Sequence, residues 1–122
     1  MTAKLRTTIA RKPSSKARVP AEPKRRELAL DKVLAALSDP TRLGIVQYLA
    51  DAGDEVSCQA CSCPDRAKST MAHHFKVLRE AGILGTRESG TQLFNHLRRA
   101  DLDARFPGVL EAILNSAPKA KW

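Results

Sequence analysis

Three cysteines stand close together, Cys58, Cys61 and Cys63, in the run CQACSC. Thiolate sulfur is a soft donor that suits As(III), Sb(III), Cd(II) or Zn(II). On a helix Cys58 and Cys61 would share one face, three residues apart. Cys63 would not, so a third sulfur joins only if the end before Pro64 unwinds. Two other readings stay open: small cysteines are often simply buried in short helices, and a pair of thiols can be oxidised reversibly. A zinc knuckle of Cys58, Cys61 and His73 or His74 is allowed by ligand type, but it would pull a histidine off the helix face described next. An odd number of cysteines makes no disulfide framework and fits a reducing compartment.

The second set of residues with chemistry to offer lies in Ala67 to Ile83, AKSTMAHHFKVLREAGI. Met71, Phe75, Leu78 and Ala81 recur at spacings of three and four and form one apolar stripe on a helix. Ser69, Thr70, His73 and Lys76 fall on the opposite face, where short hydrogen-bonding side chains crowd the helix start. Gly82 is placed for a left-handed cap that ends the helix. Such a helix suits a DNA major groove. Taken alone, it also reads as an ordinary amphipathic surface helix.

What must position these residues is a single small domain. The chain has 122 residues and a formal net charge of +8. Residues 1–26 hold nine Lys/Arg against Glu22, whereas residues 27–122 hold twelve basic and twelve acidic side chains. The high pI therefore describes a tail, and any case for nucleic acid rests on local placement. Residues 1–24 read as a disordered basic tail, able to add salt-sensitive affinity for phosphates. The same stretch also resembles a transit peptide in composition, or a solvated extension without a role. No apolar run is long enough for a membrane span, and no secretory signal is present.

From 25 to 117 the pattern is mainly α with a small β-hairpin. Leu28, Leu30, Val33, Leu34 and Leu37 predict a first helix over 24–37. Asp39 then caps, and Pro40 opens, a second helix running to about Ala50. Ser57 starts a short third helix over Cys58 to Ser62. A turn at Asp65-Arg66-Ala67 leads to the fourth, which makes a helix-turn-helix. Leu84–Glu88 and Gln92–Leu97, flanking Ser89-Gly90-Thr91, form a hairpin, with Arg87 in reach of phosphate or minor groove. Arg98–Ser116 is a last helix broken at Phe106-Pro107, and residues 118–122 fray. The apolar faces of the first and last helices exceed what one small core can hide, which favours a shared dimer interface over plain core packing.

The runs LAALSDPTRLGIVQYL (Leu34–Leu49), KSTMAHHFKVLREAGIL (Lys68–Leu84) and GTQLFNHL (Gly90–Leu97) together resemble the ArsR (arsenical-resistance-regulator) family of bacterial winged helix-turn-helix transcription factors. The resemblance spans roughly residues 27–116. It implies a cytoplasmic homodimer joined through its first and last helices, repressing transcription from an inverted-repeat operator in double-stranded DNA and released by an effector. It implies that Lys68, Ser69, Thr70 and His73 face the major groove, that Lys76 favours phosphate, and that Arg87 and Thr91 belong to the wing. Ala67 stands where the family often has a capping Ser. The family's arsenite sensors carry Cys-x-Cys near this place. Cys58 matches the second of those cysteines and the first is missing, so As(III) or a thiophilic divalent metal is only partly supported as effector. Binding there would strain the helix-turn-helix directly. A last-helix zinc site is not supported, because Asp101 and Asp103 lack their second pair: Leu114 and Ala117 stand there.

Two rival classes can be weighed. An enzyme built on Cys58-Gln-Ala-Cys61 as a redox pair lacks the strand-helix-strand setting such a pair needs. A winged-helix module that binds only protein fits the neutral domain, but not the cluster Arg66, Lys68, Lys76 and Arg79.

Overall fold

In the computed structural model, which describes residues 21–61 and 66–118, local signals in the chain set most of the boundaries. A helix α1 (Leu30–Ala36) is followed by α2 (Pro40–Ala52), a two-residue strand β1 (Val56–Ser57) and α3 (Lys68–Glu80). Then come β2 (Leu84–Ser89), β3 (Gln92–Leu97), α4 (Arg99–Arg105) and α5 (Val109–Ser116). The strands form one antiparallel sheet in the order β1-β3-β2.

Asp39 starts α2 as its position predicts. Its carboxylate accepts hydrogen bonds from the backbone N–H of Thr41 at 2.8 Å and of Arg42 at 3.1 Å, with Pro40 at the first helical position. The α3 terminus is a Schellman turn. The Ile83 N–H reaches the Leu78 carbonyl and the Gly82 N–H reaches that of Arg79, both at 3.0 Å, while Gly82 adopts φ +84°. β2 begins two residues later. Gly90 (φ +61°) and Thr91 make the two-residue turn between Ser89 and its partner Gln92. The predicted break in the last helix is present, with Gly108 at φ +79° between α4 and α5.

Three expectations need correction. The first helix does not run from 24 to 37. A single 3-10 turn (Arg25–Glu27) gives way to extended backbone at Leu28 and Ala29 before α1 begins. That extended link turns Leu28 into the core, where it is buried against Gly82. No helix starts at Cys58 either. β1 pairs Val56 with Asn95 and Ser57 with Phe94, and Ser57–Cys61 closes as a turn through Cys61 N–H to the Ser57 carbonyl at 3.2 Å. Two paired residues are too few to show strand alternation, so the hairpin becomes a three-stranded sheet. Residues 62–65, with Cys63 and Pro64, lie outside the described residues, as do 1–20 and 119–122. The basic tail was also expected to run to residue 24, yet Glu22 and Pro23 already pack on the domain.

The core joins Val33, Ala36 and Leu37 of α1, Ile45, Val46 and Leu49 of α2, and Met71, Phe75 and Leu78 of α3, with Ile83 and Leu84 behind them. α2 and α3 also meet through polar groups. His74, buried on α3, has its Nδ1 3.1 Å from the Arg42 guanidinium and 4.0 Å from the Asp39 carboxylate. A guanidinium can only donate, so Nδ1 accepts, the ring is neutral and its proton sits on Nε2. Burial lowers the His74 pKa below its ordinary 6.5, with Asp39 pulling it up and Arg42 pushing it down.

Two outcomes follow. Gly53 and Gly82 both have positive φ, but a Cβ on Gly53 meets open space, whereas one on Gly82 collides with Leu28 and crowds Pro23. Gly53→Ala should cost about 1 kcal/mol, the backbone penalty alone, and Gly82→Ala about 2–4 kcal/mol in urea unfolding. His74 takes its proton in the unfolded chain near pH 6.5 and in the folded one only at lower pH. The stability it contributes is therefore complete above pH 6.5 and is lost as pH falls toward the folded value. Urea midpoints at pH 7.5 and 5.5 should differ more in the wild type than in His74→Gln.

Candidate nucleic-acid interface and thiol turn

α3 divides its side chains as the sequence pattern requires. Met71, His74, Phe75, Leu78 and Arg79 are buried, and Lys68, Ser69, Thr70, His73 and Lys76 are all exposed. Five of the expected contact residues thus share one accessible face. The two adjacent histidines take opposite roles, His73 outward and His74 inward. No side chain caps the helix at Ala67. The first intrahelical bond comes from Met71 N–H to the Ala67 carbonyl, so the N–H groups of Lys68, Ser69 and Thr70 at the first turn carry the positive end of the helix dipole outward. Lys76 meets Glu80 at 3.9 Å with both side chains mostly exposed, a loose pair that a phosphate can replace.

Two basic residues behave differently from expectation. Arg79 does not belong to the outer cluster: it is buried, and its Nε has no hydrogen-bond partner among the described residues. Arg87 is held within the protein, with Nη2 2.8 Å from Glu55 and Nε 2.9 Å from both oxygens of the same carboxylate. Its guanidinium also stacks 5.1 Å over Phe94, its cross-strand neighbour. Reaching a phosphate from β2 would mean leaving Glu55. Thr91 is exposed at the wing tip beside Gly90.

The thiols converge on one amide. Asn95, fully buried on β3, donates from Nδ2 to the Cys58 sulfur at 2.9 Å, with the Cys61 sulfur at 3.9 Å. Its Oδ1 accepts from the Thr86 hydroxyl at 2.8 Å. The Cys61 thiol lies 3.3 Å from the Ser57 carbonyl, and the Cys58 N–H donates to the Leu93 carbonyl at 2.9 Å. Burial pushes the Cys58 thiol up in pKa, with Asn95 and the nearby Arg79 charge opposing. Cys61 is pushed up to about 11, chiefly by burial. Both sulfurs are protonated at neutral pH.

Two sulfurs are therefore brought together, and the third, Cys63, lies outside the described residues. Among the described residues no group of three or more His, Cys, Asp or Glu is arranged to hold a metal ion. The zinc knuckle finds no geometry, because His74 faces Arg42 and His73 faces outward. Asn95 was missed by sequence reasoning, yet it left a signal. In Leu93-Phe94-Asn95-His96-Leu97 it occupies the inward position between two leucines, where a polar side chain needs a partner.

Among the described residues no helix is long and apolar enough to cross a membrane. A helix-turn-helix domain family matches residues 37–87. The uncharacterized HTH-type transcriptional regulator YceK of Bacillus subtilis strain 168 is 36% identical over 86 residues, which cover 67% of this chain and 83% of YceK. The arsenical resistance operon repressor of Escherichia coli K12 is 39% identical over 54 residues, 44% of this chain and 46% of that one. Among solved structures, an ArsR-like transcriptional regulator from Rhodococcus sp. RHA1 superposes with a TM-score of 0.53 at 27% identity, over 70% of this chain and 82% of its own. The relatives and the solved structure that this chain resembles are transcriptional regulators, and the chain belongs to the ArsR family of winged helix-turn-helix, DNA-binding transcriptional regulators.

Proposed function

We propose that this regulator is a homodimeric repressor that reads an inverted repeat with the outer face of α3 and leaves it when a thiophilic metalloid or metal takes the cysteines. The observation that carries the DNA reading is the grouping of Lys68, Ser69, Thr70, His73 and Lys76 on one exposed face. Ser69 and Thr70 hydroxyls suit base edges, Lys68 and Lys76 suit phosphates, and Thr91 brings the wing tip to the backbone. Arg87 joins only by exchanging Glu55 for a phosphate oxygen.

The dimer reading is supported by apolar surface that the core leaves over. Leu30 and Leu34 on α1 are 42% and 46% exposed. Phe106, Val109 and Ile113, which line a shallow apolar cleft against α1, are themselves only half-buried. A second protomer packed there would bury these side chains and set two α3 helices against two half-sites.

The effector reading rests on soft-donor chemistry and on two sulfurs sharing one amide. The Escherichia coli relative is named for arsenical resistance. A ligand that takes both sulfurs takes them from Asn95 on the wing's central strand, so its effect enters the wing before the helix-turn-helix.

Fluorescence anisotropy of a duplex from the gene's own upstream region, set against a scrambled duplex, tests the DNA face. Ser69→Ala with Thr70→Ala should cost about 1–3 kcal/mol on the specific duplex and narrow the gap to the scrambled one. Lys76→Gln should weaken both alike and lower the salt slope by about 1. Equal binding of the two duplexes by the wild type would overturn the operator reading.

The raised thiol pKa values separate the candidate effectors. Cd²⁺ displaces one proton from each thiol it binds, so its affinity should rise about tenfold per pH unit per thiol between pH 6 and 8. Arsenous acid condenses with thiols, its hydroxyls leaving as water with the thiol protons, so its affinity should stay flat over the same range. Cys58→Ser should abolish release by either. Release by neither, with operator binding intact, would remove the thiol effector and keep the DNA-binding regulator.

A further inference from the structure

We infer that the protein binds a basic α-amino acid in a cleft between the C-terminal half of α2, the start of α4 and the end of α5. Ala50 and Asp51 follow Gln47 by three and four residues, so α2 presents all three on one face. Across from them stand Arg99, the first residue of α4, and Leu114 and Asn115 near the end of α5. These side chains line a cleft of about 190 Å³. Ala50 and Arg99 also line a neighbouring cleft of about 310 Å³, with Leu49, Leu97 and Asp54 among its other walls. The two clefts therefore share a wall, and Arg99 stands on it.

Gln47 is the unusual member of the set. It is only 5% exposed, and a buried amide needs a partner at both its ends. Its Nε2 donates to the carbonyl of Ala117, the C-cap of α5, at 3.2 Å. A carbonyl only accepts, so that bond fixes which end of the amide is nitrogen. Oε1 is left as a buried acceptor with no hydrogen-bond partner among the described residues. What it lacks is an N–H or O–H brought in through the cleft that Gln47 lines. Arg99 is the complementary group: its side chain is exposed, and among the described residues it makes no ion pair.

An orphan acceptor and a cation on one small cleft call for the reverse pattern in the ligand, N–H donors beside a carboxylate. An α-amino acid carries that pattern. Its carboxylate accepts from the Arg99 guanidinium, while its ammonium donates to Gln47 Oε1 near the Asp51 carboxylate. The side chain then passes over Ala50, which is small, into the neighbouring cleft. Leu49 and Leu97 give an aliphatic wall there, and Asp54 gives an acid. An aliphatic stem ending in a cation fits that order, which selects arginine or lysine over short or acidic amino acids. α2 also carries Arg42, whose guanidinium meets His74 on α3. A ligand that pulls on Gln47 thus acts on the helix that braces α3 and serves as a second effector, independent of the cysteines. The effector role rests on the DNA reading above, whereas the binding does not.

Calorimetric titration of the full-length protein with L-arginine, with the Gln47 side-chain amide followed by NMR, tests the site. L-Arginine should bind saturably and shift that amide signal. Agmatine, which lacks the carboxylate, should bind at least about tenfold more weakly, and Arg99→Gln should lose as much for arginine. L-Alanine, which lacks the cationic tail, should also bind far more weakly. Arg99 is exposed, so the urea midpoint of Arg99→Gln should match that of the wild type. A stationary Gln47 signal, or Arg99→Gln binding arginine as tightly as the wild type, would overturn the site. Alanine binding as tightly as arginine would overturn the basic class. Saturating arginine should change the affinity of Cys58→Ser for the upstream duplex, and an unchanged affinity would overturn the effector role. A duplex that fails to bind with or without arginine would count against the DNA reading, and calorimetry would still decide the site.

Discussion

Much of the arrangement hangs on the one residue where α3 must stop. Gly82 turns the chain at φ +84°, and this lets the Schellman bonds from Ile83 and Gly82 close the helix. Because it has no Cβ, Leu28 and Pro23 can lie directly on it. Three consequences share that contact. The helix α3 ends at a fixed residue, the wing starts at Leu84 with its register set, and the N-terminal segment at Pro23 is drawn into the corner between them. A side chain here would have to push away the leucine that plugs the core beneath α1, so helix end, wing base and N-terminal strap form one packing unit.

The parts of the fold legible in the sequence were those written in short-range chemistry. Asp39-Pro40, the i, i+3, i+4 stripe of Met71, Phe75 and Leu78, and the Gly82 stop each act within one or two turns, and each behaves as its local chemistry requires. The break at Phe106-Pro107 and the tight turn at Gly90 belong to the same class. What failed depended on partners far along the chain. Leu28 looked helical by spacing, but Gly82, 54 residues away, claims its side chain. Cys58 looked like the start of a helix, but β3 takes Val56 and Ser57 as a strand. Arg79 looked like one more surface cation on a basic helix. It is the exception to long-range causes, because four positions beyond Phe75 the helical period itself puts it on the buried face.

The candidate site divides the same way. The outer face of α3 follows from periodicity, because exposure on a helix is set once its apolar stripe is known. The thiol turn does not, since it depends on Asn95, 37 residues beyond Cys58. Arg87 shows the opposite failure. Its position on the wing was legible, whereas its bidentate hold on Glu55, 32 residues back, was not.

Under the proposed reading, the bonds around Asn95 also bear on how a ligand at the cysteines would act on DNA binding. The turn carrying Cys58 and Cys61 is tied to β3 twice, through the Cys58 N–H to Leu93 and through the Asn95 amide to sulfur. The same amide accepts the Thr86 hydroxyl from β2, and Thr86 N–H holds Glu22. One buried side chain thus stands between the thiols, both strands of the wing and the Thr86–Glu22 contact. Its hydrogen bonds sit in a region of low dielectric, where an unmade bond is costly. Taking the sulfurs away from Asn95 leaves its Nδ2 with a donor to place. The side chain that must move to place it is the one Thr86 leans on. Strain at the thiols is therefore felt first along the wing and at Glu22, and only afterwards at α3.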